Sequence, residues 1–498
     1  MTASTRSNLS DERLLAELKN YLHADECRAV STLAERLVDA AGGVEALSDY
    51  KLMVAYGGGK DSSYTVAMLR ATQLQLAVQH GHSFQLRIAN MRHAGVPDAV
   101  MANIDRVYRA LHLYEDERVE MWVVDHRQIR PFARDLPFPE DVQAINRFDV
   151  LMNGHRTAGD GRPTFCNSCN LAVADFYGRA LWWQGGVDAV VTGDSRKEQK
   201  HYFTWIMRLA QRLGLNVEEC RRMGFRGLLQ ALDGVAQRYF VELFGPGFAA
   251  QLDERRVASG DDSADPTFIS IYDLVSYKVE DHWALITEFL GFRFEELAFS
   301  FTESDCANPM LMAHFRGLKA QYVQGRDYNH GLAEYLELAQ ALMRKKEMPP
   351  RLIDLALAAY ADDQGKQARR ELAAGFAEQA FGLDEVQLVC MQFSPFVDHG
   401  RGLSNFISLC HPHYLAVHDE LQQVLAGGSE EPDLVQWLER VSGLPLPAVR
   451  SLYLHQAIDF DSEATLIARV RAGDPHKGRI SRYDPATGRT IVEVVSGR

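Results

Sequence analysis

Nowhere in the 498 residues does an apolar run approach the roughly 18 consecutive residues that cross a bilayer. The first residues, Met1-Thr-Ala-Ser-Thr-Arg-Ser, lack the apolar stretch of a secretory signal, so the expectation is a cytoplasmic protein that engages no membrane. Cysteine is sparse. Cys27, Cys166, Cys169, Cys220, Cys306, Cys390 and Cys410 are odd in number and scattered unlike a disulfide framework, which predicts reduced thiols, some given to metal or redox chemistry. Positive charge is outnumbered, 53 Lys and Arg against 67 Asp and Glu. The resulting net charge of -14 repels polyanions and argues against a large nucleic-acid footprint. The basic clusters Arg196-Lys197, Arg221-Arg222 and Arg344-Lys345-Lys346 read chiefly as solvated helix faces. Internal repeats and low-complexity segments are missing too. What remains is an ordinary globular composition, 46% apolar, long enough for two to three domains.

The most informative segment is Leu52-Met-Val-Ala-Tyr-Gly-Gly-Gly-Lys-Asp-Ser-Ser-Tyr-Thr-Val66, an apolar strand followed by three glycines and the start of an amphipathic helix. Glycines let successive backbone N–H groups turn inward, and a helix start adds unpaired N–H groups and a positive dipole end, so an anion belongs there. The donors are the N–H groups of Gly58 to Ser62, the Ser62 and Ser63 hydroxyls and the Lys60 ammonium. Asp61 beside phosphates is repulsive unless it holds magnesium or orients the loop, and it is assigned to a magnesium contact, with a helix cap as the alternative. Gly59-Lys60 is followed by Asp61 and not by the Ser or Thr of the P-loop kinase motif. The segment instead resembles the Ser-Gly-Gly-x-Asp-Ser loop of the PP-loop ATP pyrophosphatases, with Gly58, Gly59, Lys60, Asp61 and Ser62 matching and Gly57 standing where that family has serine.

Around this loop the pattern predicts an α/β fold with a parallel, helix-covered sheet. Strands are expected at 51–56, 84–91, 118–125 and 187–192, behind an N-terminal helical lead-in (1–48) whose spacing includes Leu14, Leu18, Val30, Leu33 and Leu37. The segment 130–165, rich in Pro, Asp, Gly and Arg, reads as a long loop. Helices follow at about 197–213 and 216–243, and a strand returns at Phe268. The rhythm changes near 326, so domains are expected at 49–325 and 326–498. The second is mainly helical, with a strand at Val386 to Phe393 and a terminal hairpin around Asp484-Pro-Ala-Thr-Gly.

Cys166-Asn-Ser-Cys169, expected just ahead of a helix at Leu171 to Trp183, and Cys306 in Ser304-Asp-Cys-Ala-Asn-Pro form the second constellation. Alone they are compatible with a cluster, with zinc and a fourth ligand, or with a thiol relay. Over about residues 49–325 their placement resembles the iron-sulfur tRNA two-thiocytidine and two-thiouridine synthetases. That resemblance implies that Cys166, Cys169 and Cys306 ligate a [4Fe-4S] cluster with one open iron. It also implies nucleotide contacts from Gly193 and Asp194, in the turn after the strand ending at Thr192, and backbone contacts to adenine from Ala89, Asn90 and Met91. Asp398-His-Gly-Arg-Gly402 and Cys410-His-Pro-His413 have anion- and metal-capable residue types, with turn and helix-end packing as the plainer explanation.

The function expected from this reading is an ATP-dependent sulfur transferase. Lys60, Asp61 and Ser62 are its catalytic residues, Gly57 to Ser63 hold ATP and Mg2+, and a substrate carbonyl oxygen is adenylated and then replaced by sulfur. The expected partners are a sulfide or persulfide donor and a small-molecule or carrier-bound substrate in preference to tRNA, with a homodimer as the candidate assembly. An amide ligase using ammonia or an amine, and a non-catalytic nucleotide-binding module, are the competing readings.

Overall fold

A computed structural model of the chain describes residues 3–192, 196–245, 247–258, 265–275, 279–294, 308–345, 348–472, 477–484 and 489–496. Helices α1 (Ala3–Lys19) and α2 (Ala24–Ala41) lead to β1 (Lys51–Ala55), α3 (Lys60–His80), β2 (Gln85–Arg92), α4 (Asp98–Ala110), β3 (Val119–Asp125) and β4 (Gln128–Pro131). Next come α5 (Glu140–Arg156), α6 (Gly161–Ala180), β5 (Ala189–Thr192), α7 (Arg196–Arg212), α8 (Val217–Arg222), α9 (Gly224–Phe244), α10 (Ala249–Asp253) and β6 (Thr267–Ile269). The remainder is helical: α11 (Pro309–Leu318), α12 (Tyr328–Lys345), α13 (Pro350–Ala358), α14 (Asp363–Phe381), α15 (Glu385–Phe393), α16 (Val397–Gly400), α17 (Leu403–Cys410), α18 (His418–Leu425), α19 (Pro432–Ser442), α20 (Leu446–Leu454) and α21 (Leu466–Ala472). The hairpin β7 (Lys477–Asp484) and β8 (Arg489–Ser496) closes the described chain, antiparallel as its alternation predicts.

The six-stranded sheet has the order β4-β3-β2-β1-β5-β6 and is parallel except for β4. Because side chains alternate along a strand, each β1 residue commits to one face. Leu52 and Val54 join Leu86, Ile88 and Val191 beneath α1 to α4, in a core that also holds the expected Leu14, Leu18, Val30, Leu33 and Leu37. Met53 points to the other face, where Ala89, Val190 and the end of α6 (Phe176, Ala180, Leu181) meet. Helix α3 is not amphipathic as expected but buried on all sides from Ser63 to Ala77, and its polar residues find partners inside: Arg70 donates to Asp116 (2.6 Å) and Gln73 to the Phe84 carbonyl (3.0 Å).

Two expectations fail here for a physical reason. The predicted loop at 130–165 is instead β4, α5 and the start of α6. Its periodicity is invisible because α5 buries polar residues: Asn153 donates to the Asp149 carbonyl (2.8 Å) and to Ser168 (3.1 Å), and Arg156 donates to the Glu242 carbonyl (2.6 Å). Likewise the strand expected at Val386 to Phe393 is α15, started by a capping box between Asp384 and Gln387. A short apolar run does not distinguish strand from helix, and here the cap decides. The returning strand at Phe268 is confined to the three residues of β6, at the sheet edge with Phe268 exposed. On both sides of residue 325, apolar side chains such as Val150, Leu232, Leu311, Phe381 and Leu438 share one core.

Two histidines in that helical core make stability sensitive to acid. His155 contacts the Ser442 carbonyl through Nε2 (3.1 Å) and has no partner at Nδ1; His314 contacts the Tyr328 hydroxyl through Nδ1 (2.9 Å) and has none at Nε2. Burial pushes each from its ordinary 6.5 down to about 4, so both are neutral in the folded chain. The unfolded chain takes up these protons near pH 6.5 and the folded chain does not until about pH 4, so stability falls across that window as pH drops. Each site contributes up to roughly 3 kcal/mol of the fall. Urea midpoints measured from pH 7.5 to 4.5 are expected to drop steeply, and His155→Gln, which cannot titrate, to flatten the slope.

Candidate functional site

β1 lies between β2 and β5, so the connections leaving it and returning to it diverge at its carboxyl end. In open parallel sheets that switch point opens a crevice for ligands. The glycine loop sits there. The ladder runs one residue past β1, with the Tyr56 N–H donating to the Ala89 carbonyl (2.9 Å), and Gly57 to Gly59 then carry the chain into α3. Gly58 has φ +77°, and a Cβ on it would lie 2.6 Å from Val100 Cγ1 and 2.9 Å from Ile104 Cγ1. Gly59 is the N-cap of α3 and supplies no capping side chain. The first-turn N–H groups therefore face outward without a helical acceptor, as anion binding requires.

The loop is braced from below. Asn90 donates to the Tyr56 carbonyl (2.7 Å) and accepts from the Tyr108 hydroxyl (2.6 Å), while the Tyr56 and Ser63 hydroxyls pair at 2.9 Å. Ser63 also spends its hydroxyl (2.8 Å) and its N–H (2.9 Å) on the Gly59 carbonyl. Expected among the phosphate donors, Ser63 instead lies buried and turned inward as a clamp. Ser62 remains partly open, with its hydroxyl 3.2 Å from the Gly59 carbonyl. Lys60 Nζ and Asp61 Oδ2 pair at 2.6 Å, each side chain open to solvent by about a quarter to a third (25% and 30%). Farther down, Glu26 accepts from the His23 N–H (2.7 Å) and the Tyr64 hydroxyl (2.7 Å) and lies 2.7 Å from His282 Nδ1. Burial pushes the Glu26 carboxyl up, but the bonds from His282, His23 and Tyr64 outweigh it and hold the group below its usual range.

Helix α6 feeds β5 and runs against the parallel strands, so its first half stands at the same carboxyl edge as the loop. Cys166 and Cys169 lie inside this helix, one turn apart, and not ahead of a helix as expected. Cys166 is fully buried; Cys169 lines a cleft of about 70 Å³. Met91 near the end of β2, His93 just after it and His126 just after β3 line the same cleft, so a residue expected to contact adenine and Cys169 share one lining. Asp149 and Arg255 also line it, paired with Arg255 Nε 3.0 Å from Oδ1, and the guanidinium lies over the Phe244 ring at 4.8 Å. Burial raises the Asp149 carboxyl despite Arg255. Asp175, a further lining residue, is taken up by Arg179 (2.7 Å) and the Ala258 N–H (3.0 Å).

The fold thus brings Gly57 to Ser62, Ala89, Asn90 and Met91 to one edge, with Cys166 and Cys169 beside them. Gly193, Asp194 and Cys306 lie outside the described residues, as do the side chains of Arg196 and Lys197. β5 nevertheless ends at Thr192, paired with Ala55 next to the loop. Among the described residues no three His, Cys, Asp or Glu side chains are grouped to hold a metal. The thiols of Cys166 and Cys169 are a pair suited to soft metals, incomplete as a cluster site without Cys306. His126, Asp149 and Arg255 carried no motif in the sequence. In the C-terminal helices, His411 packs edge-on against Trp437, with Tyr414 stacked on that ring at 4.4 Å, and Asp398 caps the Ala457 N–H (3.1 Å). Both segments serve packing. Comparison with protein-family models, curated proteins and solved structures finds no match to the chain.

Proposed function

We propose that this chain is an ATP-dependent adenylating enzyme of the PP-loop type that exchanges a substrate oxygen for sulfur. The observation that carries the reading is the uncapped glycine loop at the switch point, beside a cleft shared by Met91 and Cys169. The N–H groups at the start of α3, the Ser62 hydroxyl and the Lys60 ammonium receive the triphosphate oxygens, and the Asp61 carboxylate, released from Lys60, takes magnesium. A carbonyl or amide oxygen of the substrate attacks the α-phosphorus, the bond to the β-phosphate oxygen breaks, and pyrophosphate leaves. A sulfur nucleophile then attacks the activated carbon, the carbon–oxygen bond breaks, and AMP leaves with the oxygen. A [4Fe-4S] cluster or zinc held by Cys166, Cys169 and Cys306 would supply a Lewis-acidic holder for that sulfur. Met91 and Cys169 set where the nucleophile stands relative to the nucleotide.

An amine or ammonia nucleophile is the second reading, because adenylation at the glycine loop activates the carbon for a nitrogen nucleophile as well as for a sulfur one. Calorimetric titration with Mg-ATP is expected to show binding that weakens about tenfold or more in Lys60→Ala, the effect of one charge-assisted contact. Pyrophosphate release is then assayed against panels of amides, carrier-bound acids and tRNA. Cys169→Ser is expected to retain pyrophosphate release and lose sulfur incorporation. Retained sulfur incorporation would refute Cys169, and pyrophosphate release that makes an amide would select the second reading.

A further inference from the structure

Two tyrosine hydroxyls beneath the glycine loop take no part in the chemistry proposed above, yet each leads to a carbonyl at one end of that loop. The groups involved fix the direction of every bond. At the entry, a carbonyl oxygen can only accept, so Asn90 turns its amide nitrogen to the Tyr56 carbonyl (2.7 Å) and its oxygen to the Tyr108 hydroxyl (2.6 Å), which is therefore the donor. At the exit, the Ser63 hydroxyl spends its one proton on the Gly59 carbonyl (2.8 Å), so the Tyr56 hydroxyl, 2.9 Å from it, donates to Ser63. The Ser63 N–H reaches the same Gly59 carbonyl (2.9 Å). Two one-way chains result: Tyr108 through Asn90 to the Tyr56 carbonyl, and the Tyr56 hydroxyl through Ser63 to the Gly59 carbonyl.

A trans peptide unit is planar, with its C=O and N–H pointing in opposite directions, so a pinned carbonyl aims the N–H of the following residue the other way. Both pinned carbonyls face inward, toward Asn90 and Ser63, which are fully buried along with Tyr56 and Tyr108. The N–H groups of Gly57 and Lys60 are thereby turned outward, and neither has a hydrogen-bond partner among the described residues. The glycines between them do not hold that orientation by themselves, because a residue without Cβ turns its peptide units freely. A turned unit would present a carbonyl oxygen where an anion needs a donor. The rings that prevent it are packed in place, Tyr56 and Tyr108 at 5.9 Å and Tyr108 edge-on to Phe132 at 4.8 Å.

We propose that Tyr108 and Tyr56 are positioning residues of the phosphate site, which act through Asn90 and Ser63 to aim the Gly57 and Lys60 N–H groups at the ligand. Neither tyrosine touches the phosphates. Their part is to orient donors before the anion arrives, so that binding does not have to reorganise the loop. The Gly57 N–H thereby joins the donors of Gly58 to Ser62. The proposal rests on the adenylation reading for the identity of the ligand, a nucleotide, but the aiming of the loop applies to any phosphate bound there.

The test is calorimetric titration of the full-length wild type, Tyr56→Phe and Tyr108→Phe with three separate ligands: Mg-ATP, inorganic pyrophosphate and adenosine. Each variant loses one oxygen atom and keeps its ring. Affinity for both phosphate ligands is expected to fall about fivefold to tenfold in each variant, the worth of one well-aimed hydrogen bond. Adenosine, which lacks phosphates, is expected to bind each variant as it binds the wild type. In the double variant the two losses are expected to multiply, because the chains end on different peptide units. Tyr108→Phe leaves the buried Asn90 oxygen without its donor and is the variant more prone to unfold; Tyr56→Phe leaves Ser63 bonded to Gly59 and keeps the test open. Unchanged pyrophosphate affinity in folded Tyr56→Phe overturns the proposal, and so does an equal loss for adenosine and pyrophosphate, which would mark a general loosening of the fold. A wild type that binds pyrophosphate but not adenosine or ATP keeps the positioning role and loses the adenylation reading; one that binds none of the three overturns both.

Discussion

Gly58→Ala is expected to cut nucleotide affinity by about a hundredfold or more and to destabilise the fold by about 2–5 kcal/mol. Two costs add. The left-handed backbone at φ +77° disfavours any Cβ by roughly 1–2 kcal/mol. The new methyl then meets Val100 at 2.6 Å and Ile104 at 2.9 Å, and crowding of this kind costs about 1–3 kcal/mol. Val100 is β-branched and stiff at χ1, and Ile104 is buried, so neither yields cheaply. Relief comes from shifting the loop, which turns its N–H groups away from the anion. Losing two or three such donors, at about 1 kcal/mol each, gives the hundredfold figure. The same change at Gly57 or Gly59, where no atom blocks the new Cβ in this way, is expected to leave stability nearly unchanged. Urea denaturation and calorimetry on the three variants separate the cases.

The second large effect is expected at Arg255→Met, which leaves the Asp149 carboxylate buried without its partner. Asp149 lies 5% exposed and Arg255 8% exposed, so water does not replace the lost guanidinium. Removing one member of such a pair costs about 3–5 kcal/mol, whereas replacing both with apolar groups is often neutral. The double variant Asp149→Leu with Arg255→Met is therefore expected to recover most of the loss in chemical denaturation. Equal destabilisation in the single and double variants would show that the arginine acts through its packing on Phe240 and Phe244 and not through the ion pair.

Much of the sheet was legible because its strands are short apolar runs between turn residues. The strands expected at 51–56, 84–91, 118–125 and 187–192 differ from those observed by one or two residues at their ends. The N-terminal helices and the final hairpin were legible from periods of 3.6 and 2. The glycine loop was legible because its requirements are local, a strand, three residues without Cβ and a helix start. α5 was not, since the polar residues it buries include Asp149, His155 and Arg156, whose partners Arg255, Ser442 and Glu242 lie far away in the chain. The cleft was illegible for the same reason. His126 comes from a turn, Asp149 from α5 and Arg255 from a segment 106 positions beyond Asp149, and no spacing rule connects them. Ser63 was misjudged because a hydroxyl beside a phosphate loop can face either way, and the Tyr56 hydroxyl beneath it decides.

The most direct test of the nucleotide site is a crystal structure of the full chain with Mg2+ and an ATP analogue that cannot be cleaved between the α- and β-phosphates. The expected result has phosphate oxygens within hydrogen-bond reach of the N–H groups of Gly58 to Ser62, the adenine against the backbone of Ala89 to Met91, and the α-phosphate facing the cleft of Cys169 and His126. A nucleotide bound elsewhere on the chain, or a glycine loop left empty at saturating analogue, would contradict it.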